Sequence, residues 1–254
     1  LTEHLKEFLI PNGFSTFQKN IIHNTYSMAS QILLSSSSLK NAILKNFNTH
    51  KPKLNLLPNP VDENLFTLRE IPNINPQFII VCISLFRPEK RIDLVLESFN
   101  YLVHSGIKAK LKLIGDGPLK HEIENQIQKL GVSDLVELPG YLPQKRIIDE
   151  LHSSHFLVLP SDIETFGMVL VEAQACGLPV VATDCGGPKD IITAESGILV
   201  TPDSVSELAG GMKKLISSFD KFDPSEIRNS VIQKFGQKSY AESIINITAN
   251  LIKS

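Results

Sequence analysis

From Gln77 onward, short β-branched runs alternate with stretches whose apolar residues recur at helical spacing. Residues 78–83, 109–114, 135–138, 156–159, 179–182 and 197–200 read as strands. Residues 92–104, 119–130, 145–152, 168–176 and 205–216 read as helices, and Gly106, Gly131 and Gly177 stand where helices should end. Several strands are apolar throughout rather than alternating, the pattern of a parallel sheet covered on both faces. Repeated strand–helix units predict a doubly wound α/β domain. Ligands of such sheets lie beyond the carboxyl ends of the strands, which directs attention to the loops after Ile83, Ile114, Leu159 and Ala182.

The front of the chain has a different pattern. A helix over 16–30, a strand over 32–35 and a helix over 39–47 run into Lys53-Leu54-Asn55-Leu56-Leu57-Pro58-Asn59-Pro60. Pro58, Pro60, Pro72 and Pro76 predict a rigid, extended connector. Residues 1–57 are too few for a domain and are expected to be the end of a preceding one. Residues 58–235 then form the main domain, and 236–254 a terminal helix packing back toward the first. In the tail, Ile244, Ile247 and Leu251 fall at helical spacing and predict a face packed on the core.

The 254 residues carry 25 Lys and Arg against 27 Asp and Glu, a net charge of -2. That balance lacks the basic excess that attracts a polyanion, so nucleic acid is not an expected partner. Cys82, Cys176 and Cys185 have no zinc-ligand spacing, and so sparse and odd a set fits a reducing, cytoplasmic setting. No apolar stretch approaches the ~20 residues that cross a bilayer, and Glu3, Lys6 and Glu7 interrupt a signal-like start. The opening residue is Leu1, as in a fragment or a processed product.

Chemistry is most legible in Pro160-Ser161-Asp162-Ile163-Glu164-Thr165-Phe166-Gly167-Met168-Val169-Leu170-Val171-Glu172-Ala173. An apolar strand ends, a polar loop delivers Glu164, and a helix begins near Gly167. Glycine there lets backbone approach a ligand closely, and the unpaired first amides of the helix are a natural seat for phosphate. Glu172 shares a helix face with Met168 and Val169. A carboxylate so placed repels phosphate but can accept from two neighbouring hydroxyls, as on a ribose; Glu164 can do so for a sugar. On spacing alone a plainer reading stands beside this one: Glu164 as a charge favoured by the helix dipole, Glu172 as a surface residue. His152 and His155 are too few for a metal site, and a helix end before a strand accounts for them.

Glu164 and Glu172, with seven residues between them, resemble the paired glutamates of glycosyltransferase family 4, a group 1 family. The continuation 173–183, then Cys185-Gly186-Gly187-Pro188-Lys189-Asp190-Ile191-Ile192 and Ser196-Gly197-Ile198-Leu199-Val200, is similar as well. Upstream and in order come Pro58-Asn59-Pro60-Val61-Asp62, Pro88-Glu89-Lys90, Ile114-Gly115-Asp116-Gly117-Pro118 and Leu138-Pro139-Gly140-Tyr141.

The resemblance implies a GT-B fold: two Rossmann-like domains facing a cleft, with a nucleoside diphosphate sugar, UDP- or GDP-linked, held by the carboxyl-terminal one. It implies retaining transfer to a hydroxyl of a glycan, lipid or other acceptor, with no metal ion and no cofactor besides the donor substrate. Glu172 would hold the ribose, Glu164 the transferred sugar, and the backbone at Phe166, Gly167, Met168 and Val169 the sugar and diphosphate. Gly115 and Gly117 would border the nucleotide, and Gly186 and Gly187 would face the diphosphate. The family's usual Gly-Arg-Leu is replaced by Ser84-Leu85-Phe86, so the arginine's role is assigned to Arg87, beside Lys90. The acceptor pocket, a catalytic histidine and any peripheral membrane contact would belong to a fuller amino-terminal domain. An inactive pseudoenzyme and a stand-alone nucleotide-sugar-binding subunit remain as alternatives.

Overall fold

Serines open both helices of the front segment. Ser15 accepts from the Gln18 N–H and the Gln18 side chain accepts from the Ser15 N–H, a reciprocal capping box that starts α1 (Thr16–Met28). Ser36 caps α2 (Ser37–Asn46) through the Leu39 N–H. Around them β1 (Thr2–Glu3), β2 (Gln31–Leu34) and β3 (Lys53–Leu56) form a parallel sheet in that order. Phe8, Phe14, Tyr26 and Phe47 cluster over Ile32, Leu34, Leu39 and Ile43 to make its core. The computed structural model describes residues 2–3, 6–10, 13–47, 53–70 and 77–252. Pro72 and Pro76 of the predicted connector lie outside them.

The alternating pattern downstream becomes β4 (Phe78–Ile83), α3 (Ile92–His104), β5 (Ala109–Ile114), α4 (Lys120–Leu130), β6 (Val136–Gly140), α5 (Gln144–His152), β7 (Phe156–Leu159), α6 (Met168–Ala175), β8 (Val180–Thr183), α7 (Pro188–Ile191), β9 (Gly197–Val200) and α8 (Val205–Ser217). The six strands form one parallel sheet, ordered β6-β5-β4-β7-β8-β9. Strands are added outward in both directions from the β4–β7 pair. That pair is therefore the topological switch point, where a crevice opens beyond the strand ends.

Unbroken apolar runs follow from burial on both faces. Ile80, Cys82, Phe156 and Val158 face a core shared with α3, α4 and α8, whereas Val81, Leu157 and Leu159 face one shared with α5, α6 and α9 (Pro224–Phe235). Gly106, Gly131 and Gly177 follow α3, α4 and α6 with φ of +90°, +69° and +76°, in the places expected for helix ends.

The tail departs from expectation. Gly236 separates α9 from α10 (Gln237–Ile252), and Val61 crosses there, its N–H donating to Phe235 O at 2.8 Å. No residue of α10 is buried: Ile244 and Ile247 are half-buried and Leu251 is exposed. The predicted core face is thus a partly open stripe. Helical spacing reveals an apolar face, not what covers it. No helix among the described residues is long and apolar enough to cross a membrane.

Two arginines anchor the far end of α6. Buried Arg69 donates from Nη1 to Ser154 O at 2.8 Å and from Nη2 to His155 O at 3.3 Å; its N–H donates to Cys176 O. Burial lowers its pKa to about 10, still above neutrality. Arg228 donates to Phe66 O, Ala175 O and Glu63 O, placing a cation at the carboxyl end of α6 where the dipole favours it. With that end tied, the other end of α6 is fixed at the switch point. Arg228→Met strips donors from three carbonyls. We expect a loss of roughly 2 kcal/mol in urea unfolding; a change inside about 0.5 kcal/mol, the usual range for a surface site, would show that the tie is idle.

Candidate functional site

The loop leaving β7 is stitched to the loop leaving β8. Buried Ser161 accepts from Thr183 Oγ1 through its carbonyl and donates from Oγ to Glu164 Oε1 at 3.0 Å. Gly187 N–H donates to Glu164 O at 2.8 Å, and Glu164 N–H reaches Cys185 O at 3.4 Å. Gly186 has φ of +133°, and a Cβ there would stand 2.6 Å from Glu164 O. Conformation and space both require glycine at that position.

Helix α6 exposes one stripe. Leu170, Val171, Ala173, Gln174 and Ala175 are buried, whereas Met168, Val169 and Glu172 are half-buried and share a face. The stripe begins at Gly167, whose φ is +103°, and no side chain caps the helix there. Its first amides are left for another acceptor. Phe166 turns its ring into the core against Phe235, centroids 5.4 Å apart, so only its backbone is left for a ligand.

Glu172 makes no hydrogen bond or ion pair among the described residues, and burial pushes its carboxyl above the ordinary range. Its buried neighbour Gln174, by contrast, donates to Ser196 Oγ at 3.0 Å.

The loops after β4 and β5 are joined as well. Phe86 is buried, its N–H donating to Asp116 O at 2.9 Å and its carbonyl accepting from Leu119 at 3.2 Å. Gly115 and Gly117 pass so close over Ser84 and Phe86 that a Cβ on either would overlap backbone. Leu85 is 52% exposed. Arg87 is also exposed, and its side chain makes no hydrogen bond or ion pair among the described residues. Lys90 lies at the end of the 3-10 turn Pro88–Lys90 and forms an ion pair with Glu164 Oε1. Residues distant in sequence thus meet across the switch point.

A cavity of about 360 Å³ borders this pair, lined by Lys6, Glu7, Glu89, Lys90, Ile163, Glu164 and Thr165. A larger one of about 770 Å³ shares Lys6, Glu89 and Ile163 with it and extends along α4. Lys6 pairs with Glu89 and holds that carboxyl below the ordinary range.

Sequence reasoning missed several residues here. Asp190 accepts from Ser37 N–H at 2.6 Å and from Ser37 Oγ at 2.5 Å, and Ser38 Oγ donates to Gly186 O at 3.0 Å, so α2 docks on the rim of the site. Ser161, Thr183 and Lys6 belong with them; the Ser161–Thr183 and Lys6–Glu89 contacts join residues remote in sequence, and spacing carries no signal for them. Among the described residues no group of three or more His, Cys, Asp or Glu is placed to hold a metal ion. His152 bonds Thr67 O and His155 is in the core. Cys82 and Cys176 are buried, and burial pushes the half-buried Cys185 thiol up to about 11, leaving it protonated at neutral pH.

Residues 66–233 match the family described as Glycosyl transferases group 1. An exopolysaccharide phosphotransferase of Streptomyces coelicolor is 31% identical over 195 residues, 76% of this chain and 19% of its own length. N-acetyl-alpha-D-glucosaminyl L-malate synthase of Bacillus anthracis is 33% identical over 141 residues, 53% of this chain and 36% of its own length. Anabaena HepE, solved with UDP and glucose, has a TM-score of 0.83 at 22% identity, over 98% of this chain and 71% of that one. Sucrose-phosphate synthase from Thermosynechococcus elongatus has a TM-score of 0.81 at 20% identity, over 99% and 67%. At the identities of these two structures the likeness is one of fold. The chain spans only 19% and 36% of the length of the two curated relatives.

A carboxyl whose folded pKa is raised binds more protons in the folded than in the unfolded chain. Stability therefore falls as pH rises from the ordinary value of 4.5 through the raised one. Glu172→Gln is expected to stabilise the free protein at pH 7 by about 0.5–2 kcal/mol. The advantage should shrink as pH falls toward 4.5 and below. Urea midpoints across pH measure it; a variant less stable than wild type at pH 7 contradicts the unpartnered, desolvated carboxylate.

Proposed function

The chain belongs to the group 1 glycosyl transferases, and on that premise we propose that it is the donor-binding part of a retaining, metal-independent family 4 enzyme with a GT-B fold. The reaction is transfer of a sugar from a UDP- or GDP-linked donor to a hydroxyl of a glycan, lipid or other acceptor. The observation that carries this reading is the stripe on α6: an uncapped helix terminus followed, on the same face, by a desolvated carboxylate with no protein partner among the described residues. A nucleoside diphosphate supplies what both lack. Its phosphates accept from the amides at Gly167, Met168 and Val169, and its ribose hydroxyls donate to Glu172.

Glu164 serves as an orienting group rather than a nucleophile. Its Oε1 is already engaged by Lys90 and Ser161, which leaves Oε2 to take a sugar hydroxyl. Lys90 has two tasks: it neutralises Glu164, which would otherwise repel the diphosphate, and it takes up charge as the diphosphate departs. A unit charge about 4 Å from a phosphate contributes on the order of 4 kcal/mol at an effective dielectric near ~20. The exposed Arg87 side chain adds a second cation, and the helix terminus a third positive element. Such a set can stand in for a metal, so no cofactor is invoked. Retention is the stereochemistry the family resemblance implies.

Gly115 and Gly117 border the nucleotide, and Gly186 and Gly187 set the wall opposite α6. Residues 1–57 serve as the end of an acceptor domain, residues 58–235 as the donor domain, and 236–254 as the helix that returns toward the first. Docking of Ser37 and Ser38 on Asp190 and Gly186 supports such a division, with the acceptor side resting on the rim of the donor site.

Calorimetric titration tests the reading. UDP or GDP should bind, and Glu172→Gln should weaken the binding on the order of tenfold or more through loss of charge-assisted hydrogen bonds. Lys90→Met should weaken it at least about tenfold. Silence with UDP, GDP and their sugars at millimolar concentration ends the proposal.

A further inference from the structure

Arg91 joins three carboxylates from three separate segments. Its Nε and Nη2 take both oxygens of Asp93 at 3.1 to 3.2 Å, and its Nη1 reaches Asp162 Oδ1 at 3.1 Å and Asp203 Oδ1 at 2.6 Å. Asp93 lies in the first turn of α3, Asp162 in the loop after β7, and Asp203 in the turn after β9. Among the described residues, Arg91 and Asp203 are the two non-glycine residues with positive φ, +47° and +56°. A left-handed backbone is unfavourable where a Cβ is present, and it persists only where the surroundings impose it. Aspartate tolerates that region better than arginine, so the strain sits chiefly at Arg91, which is bonded to Asp203.

This cluster adjoins the pair assigned to the donor. Arg91 follows Lys90 directly, and Asp162 stands two residues before Glu164. Asp162 N–H also donates to Glu89 O at 2.9 Å. The turn carrying Lys90 and the loop carrying Glu164 are therefore joined at Arg91–Asp162 and Glu89–Asp162, besides the Lys90–Glu164 ion pair itself.

We infer that Arg91 is a positioning residue: by holding Asp93, Asp162 and Asp203 together it fixes the 88–90 turn against the 160–165 loop and so sets where Lys90 stands relative to Glu164. It need touch no donor atom. Without the guanidinium, three carboxylates converge with no shared counter-ion, and their repulsion drives the loop of Asp162 and Glu164 away from the turn of Lys90. A lysine cannot substitute fully, because one compact ammonium lacks the planar fork that reaches all three. The inference rests on the donor reading above and goes beyond it by naming the residue that places the two working groups.

The test uses Arg91→Gly, which keeps a left-handed backbone at no steric cost, and Arg91→Lys. The first readout needs no ligand: exchange of the Lys90 and Asp162 amides, bonded to Arg87 O and Glu89 O. The second is the affinity for UDP. In Arg91→Gly both amides should exchange on the order of tenfold faster while amides of β7 and β8 hold their protection, and UDP affinity should fall on the order of tenfold. Arg91→Lys should fall between. Adding Asp162→Asn to Arg91→Gly should restore part of both, since it relieves the repulsion; loss of packing alone gives no such rescue. The inference is overturned if the two amides keep wild-type protection in Arg91→Gly, or if the sheet amides lose theirs equally. A wild-type chain that binds no nucleotide defeats the donor reading instead, and the exchange comparison still decides whether Arg91 holds the loops.

Discussion

The arrangement depends on the point where β4 and β7 lie side by side and their chains depart in opposite directions. Two loops are released there, and the Lys90–Glu164 ion pair closes the gap between them. Everything proposed for the site needs that closure. Lys90 faces a phosphate only if its turn is fixed, and Glu164 sits beside phosphate only if its charge is already balanced. The stitching around the pair is mostly backbone: Ser161 to Thr183, Glu164 to Gly187, Phe86 to Asp116. Glycines at 115, 117, 186 and 187 are what allow the main chains to approach so closely.

Much of the fold is legible in the sequence because its causes are local. Strands β4, β7 and β9 coincide with apolar runs, and α3 with an uninterrupted helical period, since burial on both sheet faces leaves little choice of residue. The left-handed glycines after α3, α4 and α6 are equally readable. Boundaries move where a neighbour intervenes, as at Leu135, which closes a 3-10 turn before β6 begins. Helical spacing predicts a core face on α10, and the stripe is half open. In the site, Gly167 and Glu172 stand out because a glycine at a helix start and a carboxylate on an apolar helix are both unusual. Asp190 gripping Ser37, and Asp162 and Asp203 meeting on Arg91, leave no trace in spacing. Such contacts join segments that only the folded chain brings together.

Stability and proposed function pull against each other at two places. Glu172 carries a charge that burial disfavours and that no described protein group balances. Arg91 holds a left-handed backbone conformation that nothing in its own residue type favours. Natural chains keep such features where a ligand or a geometry needs them. Elsewhere the chain follows ordinary rules: serine or aspartate caps α1, α2, α8 and α9, and apolar faces match across the sheet.

The central claim is that a nucleoside diphosphate seats on the amino end of α6. Backbone amide shifts of the isotopically labelled protein, followed while UDP is added, report on it residue by residue. The account predicts the largest changes at Gly167, Met168 and Val169, with smaller ones at Lys90 and Glu164. Shifts confined to the α4 side of the larger cavity, with the start of α6 unmoved, would contradict it.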